Sequence, residues 1–400
     1  MANQAVMKLT VTHEPRLLFI INYDFGSLGE ALYFLKGNPF NASLLLPKNL
    51  FELNKDKLDY PLYLYNTIHD IEHVVARVMP QIVLLYSGYL FVIDGIMSHQ
   101  DFDRSLNYLH SQGMILATSD PFLNWYSAID SAKIRKESYY SKFTDYSRAI
   151  HRLLKKFIHI TPLELQIKAD LKALSFYNKN GLLTPQERAD CRSKAYRYLN
   201  IEESRQFWLF YLATTEYDNQ INSEGKKYGP HARYFHAIIR DKLNETVDND
   251  RVAVFIAPAK CINALKDLPD LNREHIIFIS FCDFDLYCTL ILAAEYVFSW
   301  NIFSFSLFLR VLNRLPVFFF ARGHLSANIP GIFKHFSAHF PHCQISALNP
   351  RGRLDIKKLQ LLAQQQNRLL FEPFCRNLRK LNSPRQAIQE ILKLKDGVKR

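Results

Sequence analysis

Short apolar runs alternate with helical segments along most of the chain, and this alternation limits the folds available to it. Each predicted strand is a short apolar run bounded by turn residues: PRLLFIINY, ASLLLP, PLYLY, QIVLLYSG, YLFVIDG and MILATSD. Between them lie predicted helices with clear ends, such as one that begins at Thr67 and one that runs from Ser98 to Gly113. Strands that alternate with helices pack as an open parallel sheet with helices on its faces.

A second alternating series follows a long region of helical, basic and Tyr-rich sequence. Its first helix has a capping box, in which Thr184 is the N-cap, Pro185 the first helical residue and Glu187 the third. Predicted strands then alternate with helices up to residue 325, and the remainder is mainly helical. We therefore predict an α/β protein with four parts: an N-terminal α/β domain over 1–125, a basic helical insertion or linker over 126–184, a C-terminal α/β domain over 185–345 and C-terminal helices over 346–400.

The most apolar segment, AAEYVFSWNIFSFSLFLRVLNRLPVFFFARGH at residues 293–324, has the hydropathy of a membrane span but carries charges. Glu295, Arg310 and Arg314 interrupt it, and no run of about 18 apolar residues is free of charge, so no transmembrane helix is predicted. The first residues lack the apolar stretch of a signal peptide. We expect a cytoplasmic protein in which this segment forms a buried helix and strands, because strands covered on both faces are continuously apolar.

The chain is basic, with a net charge of +12 and an isoelectric point near 9.3. Such a charge suits nucleic acid, an anionic membrane surface or an anionic substrate. Part of the excess lies in residues 133–159, where Lys and Arg are interleaved with Tyr and Phe. No nucleic-acid-binding module is present, so nucleic acid is the least favoured partner. For residues 133–159, a solvated helix face and docking at the inner face of an anionic membrane both remain open.

Several kinds of chemistry are disfavoured by the motifs that the sequence lacks. It contains no G-x-x-x-x-G-K-[ST], G-x-S-x-G or H-E-x-x-H motif, which argues against a P-loop nucleotidase, a serine hydrolase and a zinc protease. The six cysteines lack the spacing of a zinc site or a disulfide framework. Asp283 and Asp285 have the spacing of a metal-binding D-x-D motif, but we expect them to complement the dipole at the start of a helix.

Two α/β halves joined by helical sequence and followed by C-terminal helices resemble the GT-B fold of sugar-nucleotide glycosyltransferases, which has two Rossmann-like domains. The most family-like stretch, DFDLYCTLILAAEYVFSWNIFSFSLFLRVLNRLPVFFF, follows the family's order of helix, strand, polar loop, helix and strand. The resemblance implies transfer of a sugar from a nucleotide-sugar donor to a hydroxyl acceptor, with no metal and no other cofactor. The chain has only 13 glycines and lacks a Glu-x(7)-Glu arrangement, and these departures favour the alternative of a catalytically inactive GT-B-like scaffold or binding protein.

The nucleotide diphosphate site is predicted at the ends of two strands in the C-terminal domain. Asn301 ends the predicted strand YVFSWN, and it lies with Ser304 and Ser306 at the start of the next helix, where free N–H groups and the helix dipole favour a diphosphate. Arg322 ends the predicted strand PVFFFAR and His324 follows it. The arginine could bind the diphosphate through two parallel hydrogen bonds, and the histidine could bind a phosphate oxygen or a sugar hydroxyl. The alternative for the serines is an ordinary N-cap, and the alternative for Arg322 and His324 is an ordinary surface position.

The N-terminal domain is expected to hold the acceptor at the loop YDFGSLGE, which follows its first strand. Asp24 or Glu30 is the candidate general base for the proton of the acceptor hydroxyl, and Glu30 stands where some inverting members of the family place a histidine. The alternative for Glu30 is a carboxylate in the first helical turn that complements the helix dipole. Asp94 and Asp120 also follow strands and are secondary candidates, although such positions are typical of turn or cap residues.

Overall fold

The computed structural model shows an α/β chain built around two parallel sheets with flanking helices. It describes residues 14–22, 25–86, 90–93, 96–119, 157–162, 173–221, 232–280, 282–300, 305–320 and 347–396. Across these ranges, no helix combines the length and the apolar composition that crossing a membrane requires. The two sheets confirm the two α/β domains that the sequence predicts.

The first sheet contains seven strands, and every neighbouring pair is parallel. They are β1 (Arg16–Ile20), β2 (Asn41–Pro47), β3 (Leu62–Tyr65), β4 (Ile82–Tyr86), β5 (Ile115–Ser119), β6 (Ile158–Thr161) and β7 (Ala173–Ser175). Their order is β3-β2-β1-β4-β5-β6-β7. The central strands are buried along almost their whole length, which accounts for the continuous apolar runs in the sequence.

Five described helices accompany the first five strands. They are α1 (Phe25–Leu35), α2 (Lys48–Asn54), α3 (Ile68–Val78), α4 (Leu90–Ile93) and α5 (His99–Ser111). The predicted starts of α3 and α5 are confirmed, because the Thr67 and Ser98 side chains accept hydrogen bonds from the N–H groups of Asp70 and Asp101. Each cap satisfies an N–H that has no partner within its helix, and this fixes where the helix begins.

The second sheet contains six strands, which are also paired in parallel. They are β8 (Phe207–Tyr211), β9 (Val252–Ile256), β10 (Ile276–Ile279), β11 (Tyr296–Ser299), β12 (Val317–Phe320) and β13 (Ala347–Leu348). Their order is β10-β9-β8-β11-β12-β13. Aromatic rings on neighbouring strands stack across this sheet. The centroid of the Phe298 ring lies 4.6 Å from that of the Phe210 ring and 5.5 Å from that of the Phe318 ring.

The helices of the second half surround this sheet and continue beyond it. They are α6 (Pro185–Leu199), α7 (Thr214–Ile221), α8 (Ala232–Asp248), α9 (Ala259–Lys266), α10 (Phe284–Ala293), α11 (Phe305–Leu312), α12 (Ile356–Gln366), α13 (Glu372–Leu378) and α14 (Pro384–Asp396). The capping box of Thr184 and Glu187 is confirmed at α6. The apolar segment 293–324 contributes β11, α11 and β12, so its described residues build the core.

Two parts of the first domain differ from the sequence prediction. The run YLFVIDG is predicted as a strand, but Leu90–Ile93 form α4, so this prediction is wrong. A short apolar run fits a strand or a buried helix equally well, and periodicity does not distinguish them. In addition, β6 and β7 lie within residues 126–184, where the sequence indicates mainly helices, and they extend the first sheet by two strands.

The two domains contact each other through α1 and α11. The Tyr33 ring of α1 packs edge-on against the Phe308 ring of α11, with the ring centroids 5.5 Å apart. Nearby, Lys57 Nζ lies 2.7 Å from the carboxylate of Asp283, which begins α10. The interface therefore combines an aromatic contact with an ion pair.

The last helix, α14, returns to the first domain. Ala387, Ile388 and Ile391 are buried in the same apolar core as β1 and β5. The connection to α14 is fixed by a hydrogen bond of 2.8 Å, which the Tyr177 N–H donates to the Asn382 carbonyl. The N-terminal core is therefore completed by residues from the other end of the chain.

Candidate functional site

Each sheet has one place where the order of its strands reverses. In the first sheet this place lies between β1 and β4, and in the second between β8 and β11. The connections that follow two such strands cross to opposite faces of the sheet, which opens a crevice at their carboxyl ends. Because ligands of open α/β sheets bind in these crevices, the two carboxyl ends are the candidate sites.

Glu30 is part of α1 and lies at the carboxyl end of the first sheet, where its side chain reaches Ser119 at the end of β5. The helix begins at Phe25, so Glu30 is in its second turn and not in the first turn, where the helix dipole acts. Its side chain is only 8% exposed and accepts a hydrogen bond from the hydroxyl of Ser119, the last residue of β5. The structure thus gives Glu30 a partner on the sheet and does not support the interpretation that it only complements the dipole.

Tyr86 lies beside this pair, at the end of β4. It is the register partner of Ser119, so the two side chains share one face of the sheet. The Tyr86 ring stacks on Phe19 with the centroids 5.8 Å apart, and its buried hydroxyl has no hydrogen-bond partner among the described residues. Burial raises the pKa of Tyr86 well above its ordinary value, and the charge of Glu30 raises it further. The site therefore combines a carboxylate acceptor with a phenol that stays protonated.

The carboxyl end of the second sheet carries a cavity of about 210 Å³. Its lining residues come from two helices and from the ends of two strands: Gln220, Phe235, Ile238, Trp300, Asn349, Pro350 and Arg351. Trp300 follows β11 and is 1% exposed, and its ring packs against Phe235 and Phe320 with centroid distances of 5.8 and 4.6 Å. The cavity therefore has a buried aromatic floor, and the exposed residues Asn349 and Arg351 form its polar rim.

The rim of the cavity is a turn that follows β13. The Arg351 N–H donates a hydrogen bond of 3.0 Å to the Asn349 side-chain oxygen, and the Gly352 N–H donates one of 2.9 Å to the Asn349 carbonyl. Helix α8 holds this turn from the other side, because the buried Lys242 donates to the Gly352 carbonyl at 2.5 Å. These contacts give the rim a defined position.

Of the site residues that the sequence predicts, the structure describes the side chain of Glu30 alone. Ser306 is the second residue of α11, but its side chain lies outside the described part of the chain. The others lie outside it altogether: Asp24, Asn301, Ser304, Arg322 and His324, together with the secondary candidates Asp94 and Asp120. Their roles stay predictions. The basic segment 133–159 also lies outside the described residues, apart from its last three.

Asp283 and Asp285 lie at the start of α10, as the sequence predicts, and Asp283 is the N-cap of the helix. Its side chain accepts a hydrogen bond of 2.9 Å from the Leu286 N–H and also pairs with Lys57. Partial burial raises the pKa of Asp283, but the contacts with Leu286 and Lys57 outweigh it and bring the pKa below its ordinary value. Among the described residues, no group of three or more His, Cys, Asp or Glu side chains is arranged to hold a metal ion.

Three candidate site residues are missing from the sequence prediction: Tyr86, Ser119 and Arg351. Ser119 lies in the strand-end sequence TSDP, where the prediction selects the neighbouring Asp120. Tyr86 ends an apolar run and has the pattern of a core residue. Arg351 lies in the turn sequence NPRG, but the preceding strand, β13, has only two residues and is too short to mark a strand end in the sequence.

Comparison with known proteins identifies the fold. No protein-family model matches the sequence, and no curated protein matches it. Three similar solved structures cover nearly the whole chain. Os79 from O. sativa, in complex with UDP and deoxynivalenol-3-glucoside, is 9% identical and has a TM-score of 0.54, with 96% of this chain and 99% of that chain covered.

The other two structures come from bacteria. The glycosyltransferase SnogD from Streptomyces nogalater is 10% identical and has a TM-score of 0.52, with 95% of this chain and 100% of that chain covered. A UDP-N-acetylglucosamine 2-epimerase from Rickettsia bellii is 12% identical and has a TM-score of 0.48, with 90% and 97% covered. The chain therefore has the GT-B fold, as the sequence predicts, and identities of this size show the fold without fixing the function.

Proposed function

We propose that this protein is a glycosyltransferase that moves a sugar from a nucleotide-sugar to a hydroxyl acceptor. The observation that carries the proposal is the buried carboxylate of Glu30, which meets Ser119 at the carboxyl end of β5, one strand beyond the strand-order reversal of the first sheet. Support comes from the fold. Os79 is similar to this protein over nearly the whole length of both chains, and it was crystallised with UDP and a glucoside. A scaffold without activity has no need of a buried acid at this position, since burying a carboxylate costs free energy.

In this proposal, the C-terminal domain holds the nucleotide diphosphate. Asn301, Ser304 and Ser306 would meet the phosphates where α11 begins, since the first N–H groups of a helix favour an anion. Arg322 would bind the diphosphate through two parallel hydrogen bonds, with His324 beside it. These groups stabilise the negative charge that develops on the leaving diphosphate, and such stabilisation is usually the largest part of catalysis.

The N-terminal domain would supply the base. Glu30, or Asp24 in the preceding loop, takes the proton of the acceptor hydroxyl while that oxygen forms a bond to the anomeric carbon of the sugar. The bond from this carbon to the phosphate oxygen breaks, and the nucleoside diphosphate leaves with the electron pair. Tyr86, whose buried hydroxyl stays protonated, lies close to the Glu30 charge and forms part of the surroundings of the base.

The basic segment 133–159 supports a place for the protein at an anionic membrane. Its Lys and Arg residues are interleaved with aromatic residues, and each cation near an anionic surface contributes about 1 kcal/mol to binding. Flotation with liposomes tests this part of the proposal. Binding to vesicles with anionic lipids, lost in high salt and absent with neutral lipids, is expected. Failure to float with anionic vesicles at low salt would assign the segment to an ordinary solvated surface.

Thermal unfolding with nucleotides tests the proposed function. A ligand that binds only the folded state raises the unfolding temperature, so UDP or GDP is expected to stabilise the full chain, with adenosine as the control. Incubation with UDP-sugars then shows whether the nucleotide is released. If no nucleotide stabilises the protein, it is a GT-B scaffold. If the sugar is epimerised and no glycoside forms, the chemistry is that of an epimerase.

A further inference from the structure

We propose that the cavity at the carboxyl end of the second sheet binds the six-membered ring of an acidic sugar, and that Arg351 holds its carboxylate. The inference rests on the proposed function, because it names the class of sugar that the donor carries. It goes beyond that function in assigning the ring to the cavity lined by Trp300, Phe235 and Asn349.

The size and the lining of the cavity suit one sugar ring. Its volume is about 210 Å³, and a protein cavity of about 150 Å³ already accommodates benzene. Trp300, Phe235 and Ile238 provide an apolar surface against which the C–H face of a pyranose packs. The carboxamides of Gln220 and Asn349 provide polar groups for the sugar hydroxyls, which is the usual composition of a small-molecule pocket.

The positive charge at the rim of the cavity favours an acidic sugar over a neutral one. The Arg351 side chain has no hydrogen-bond acceptor and no acidic partner among the residues that the structure describes, although it lines the cavity. On the neighbouring helix α8, by contrast, Arg240 is paired with Asp241 and Lys242 with Glu245. A guanidinium binds a carboxylate through two parallel hydrogen bonds, a geometry that a neutral hexose does not use. The cation at this rim therefore favours a sugar that carries a carboxylate.

The turn that carries Arg351 is held in place before any ligand arrives. Lys242 is almost fully buried, and its ammonium donates both to the Glu245 carboxylate at 2.7 Å and to the Gly352 carbonyl at 2.5 Å. The Glu245 carboxylate also accepts a hydrogen bond of 2.8 Å from the Leu354 N–H. A partly buried ion pair thus fixes both sides of the turn, and a binding group that is already positioned loses less entropy when the ligand binds.

Calorimetric binding to the 400-residue chain tests the inference. The probes are UDP, UDP-glucose and UDP-glucuronic acid, with GDP, GDP-mannose and GDP-mannuronic acid in parallel for a guanosine donor. The uronate is expected to bind about tenfold more tightly than its neutral counterpart, as for hydrogen bonds to a charged group. Arg351→Ala should abolish this preference and leave the affinity for the free nucleotide within about twofold. Arg353→Ala is the matched control, because Arg353 is exposed on the same turn but does not line the cavity, and it should keep the preference.

The outcomes separate this inference from the proposed function. If a free nucleotide binds but the nucleotide-uronate and the neutral nucleotide-sugar bind equally, the assignment of an acidic sugar is wrong. The glycosyltransferase proposal then stands. If Arg351→Ala weakens binding of the free nucleotide as much as binding of the uronate, Arg351 contacts a phosphate. The assignment of Arg351 to the sugar carboxylate is then overturned. If none of the six probes binds, both proposals fail.

Discussion

Arg310, on α11, is a charged side chain buried at the amino-terminal ends of two strands. It is 0% exposed and donates hydrogen bonds to the carbonyl oxygens of Ile291 at 2.7 Å and Ala294 at 2.8 Å. It also donates to the carbonyls of Glu295 and Pro316, which precede β11 and β12. Burial lowers the pKa of Arg310 to about 9, which leaves the guanidinium protonated at neutral pH. One residue thus satisfies the last carbonyls of α10 and aligns two strands.

Replacing Arg310 by Met should lower the free energy of unfolding by about 3 kcal/mol, because several buried carbonyls lose their donor together. Urea unfolding followed by circular dichroism measures the loss. The matched control is Arg314→Lys, which keeps the charge that pairs with Glu372 at an exposed position, and it should change stability by about 0.5 kcal/mol or less. Equal stability of Arg310→Met and the parent chain would show that the carbonyls find other donors.

Glu30→Gln tests the proposed base at the same scale. The amide oxygen can still accept from the Ser119 hydroxyl, so the fold should be retained while the ability to take up a proton is lost. Turnover should fall about 100-fold or more, in the range of a lost general base, and nucleotide affinity should be unchanged. Steady-state rates and calorimetry provide the two readouts. Full turnover in this variant would show that the general base is Asp24 or another group.

At the scale of helices and strands, the sequence predicts best what is decided locally. Thr67, Ser98 and Thr184 cap helices through contacts within three residues, and all three starts follow from the sequence. The strands β6 and β7 contain only four and three residues and depend on partners far along the chain, so their own sequence carries too little pattern. The contact between Glu30 and Ser119 joins residues 89 positions apart, and only the packing of α1 on the sheet brings them together.

Gly181 shows how closely two elements from different domains approach. A Cβ atom at this position would lie 2.2 Å from Tyr33 Cε2 on α1 and 3.2 Å from Leu312 Cδ2 on α11. The Tyr33 ring has little room to move, because its hydroxyl accepts a hydrogen bond of 2.9 Å from the Asn178 N–H. No side chain fits between these helices without displacing one of them.

Gly181→Ala should therefore destabilise the chain by about 1–3 kcal/mol, as overpacking of a core does. Gly352→Ala is the matched control, since a Cβ there would meet its nearest neighbour at 3.4 Å, an ordinary contact. Differential scanning calorimetry compares the two variants. A Gly181→Ala variant as stable as the control would mean that the domain interface accommodates the added methyl group with little loss of stability.

At the scale of the whole molecule, the first domain depends on α14. The side chain of Ile391 is 0% exposed and lies in the core that β1 and β5 build. Ile391→Asp should loosen the first domain, because it places an unpaired charge in an apolar core, and should leave the second domain folded. Hydrogen exchange is expected to speed up in β1 and β5 and to stay slow in β8 and β9. Equally fast exchange in both sheets would show that the two domains unfold as one unit.

The return of α14 also reverses the usual order in which domains mature on the ribosome. The N-terminal domain of a nascent chain normally folds first, and synthesis proceeds at about 5–20 residues per second. Here the strands of the first sheet end at Ser175, but their core includes Ile391, which emerges roughly 10–40 s later at that rate. The core of the second domain closes earlier, with Phe371. The half that is translated first is thus the half that finishes folding last.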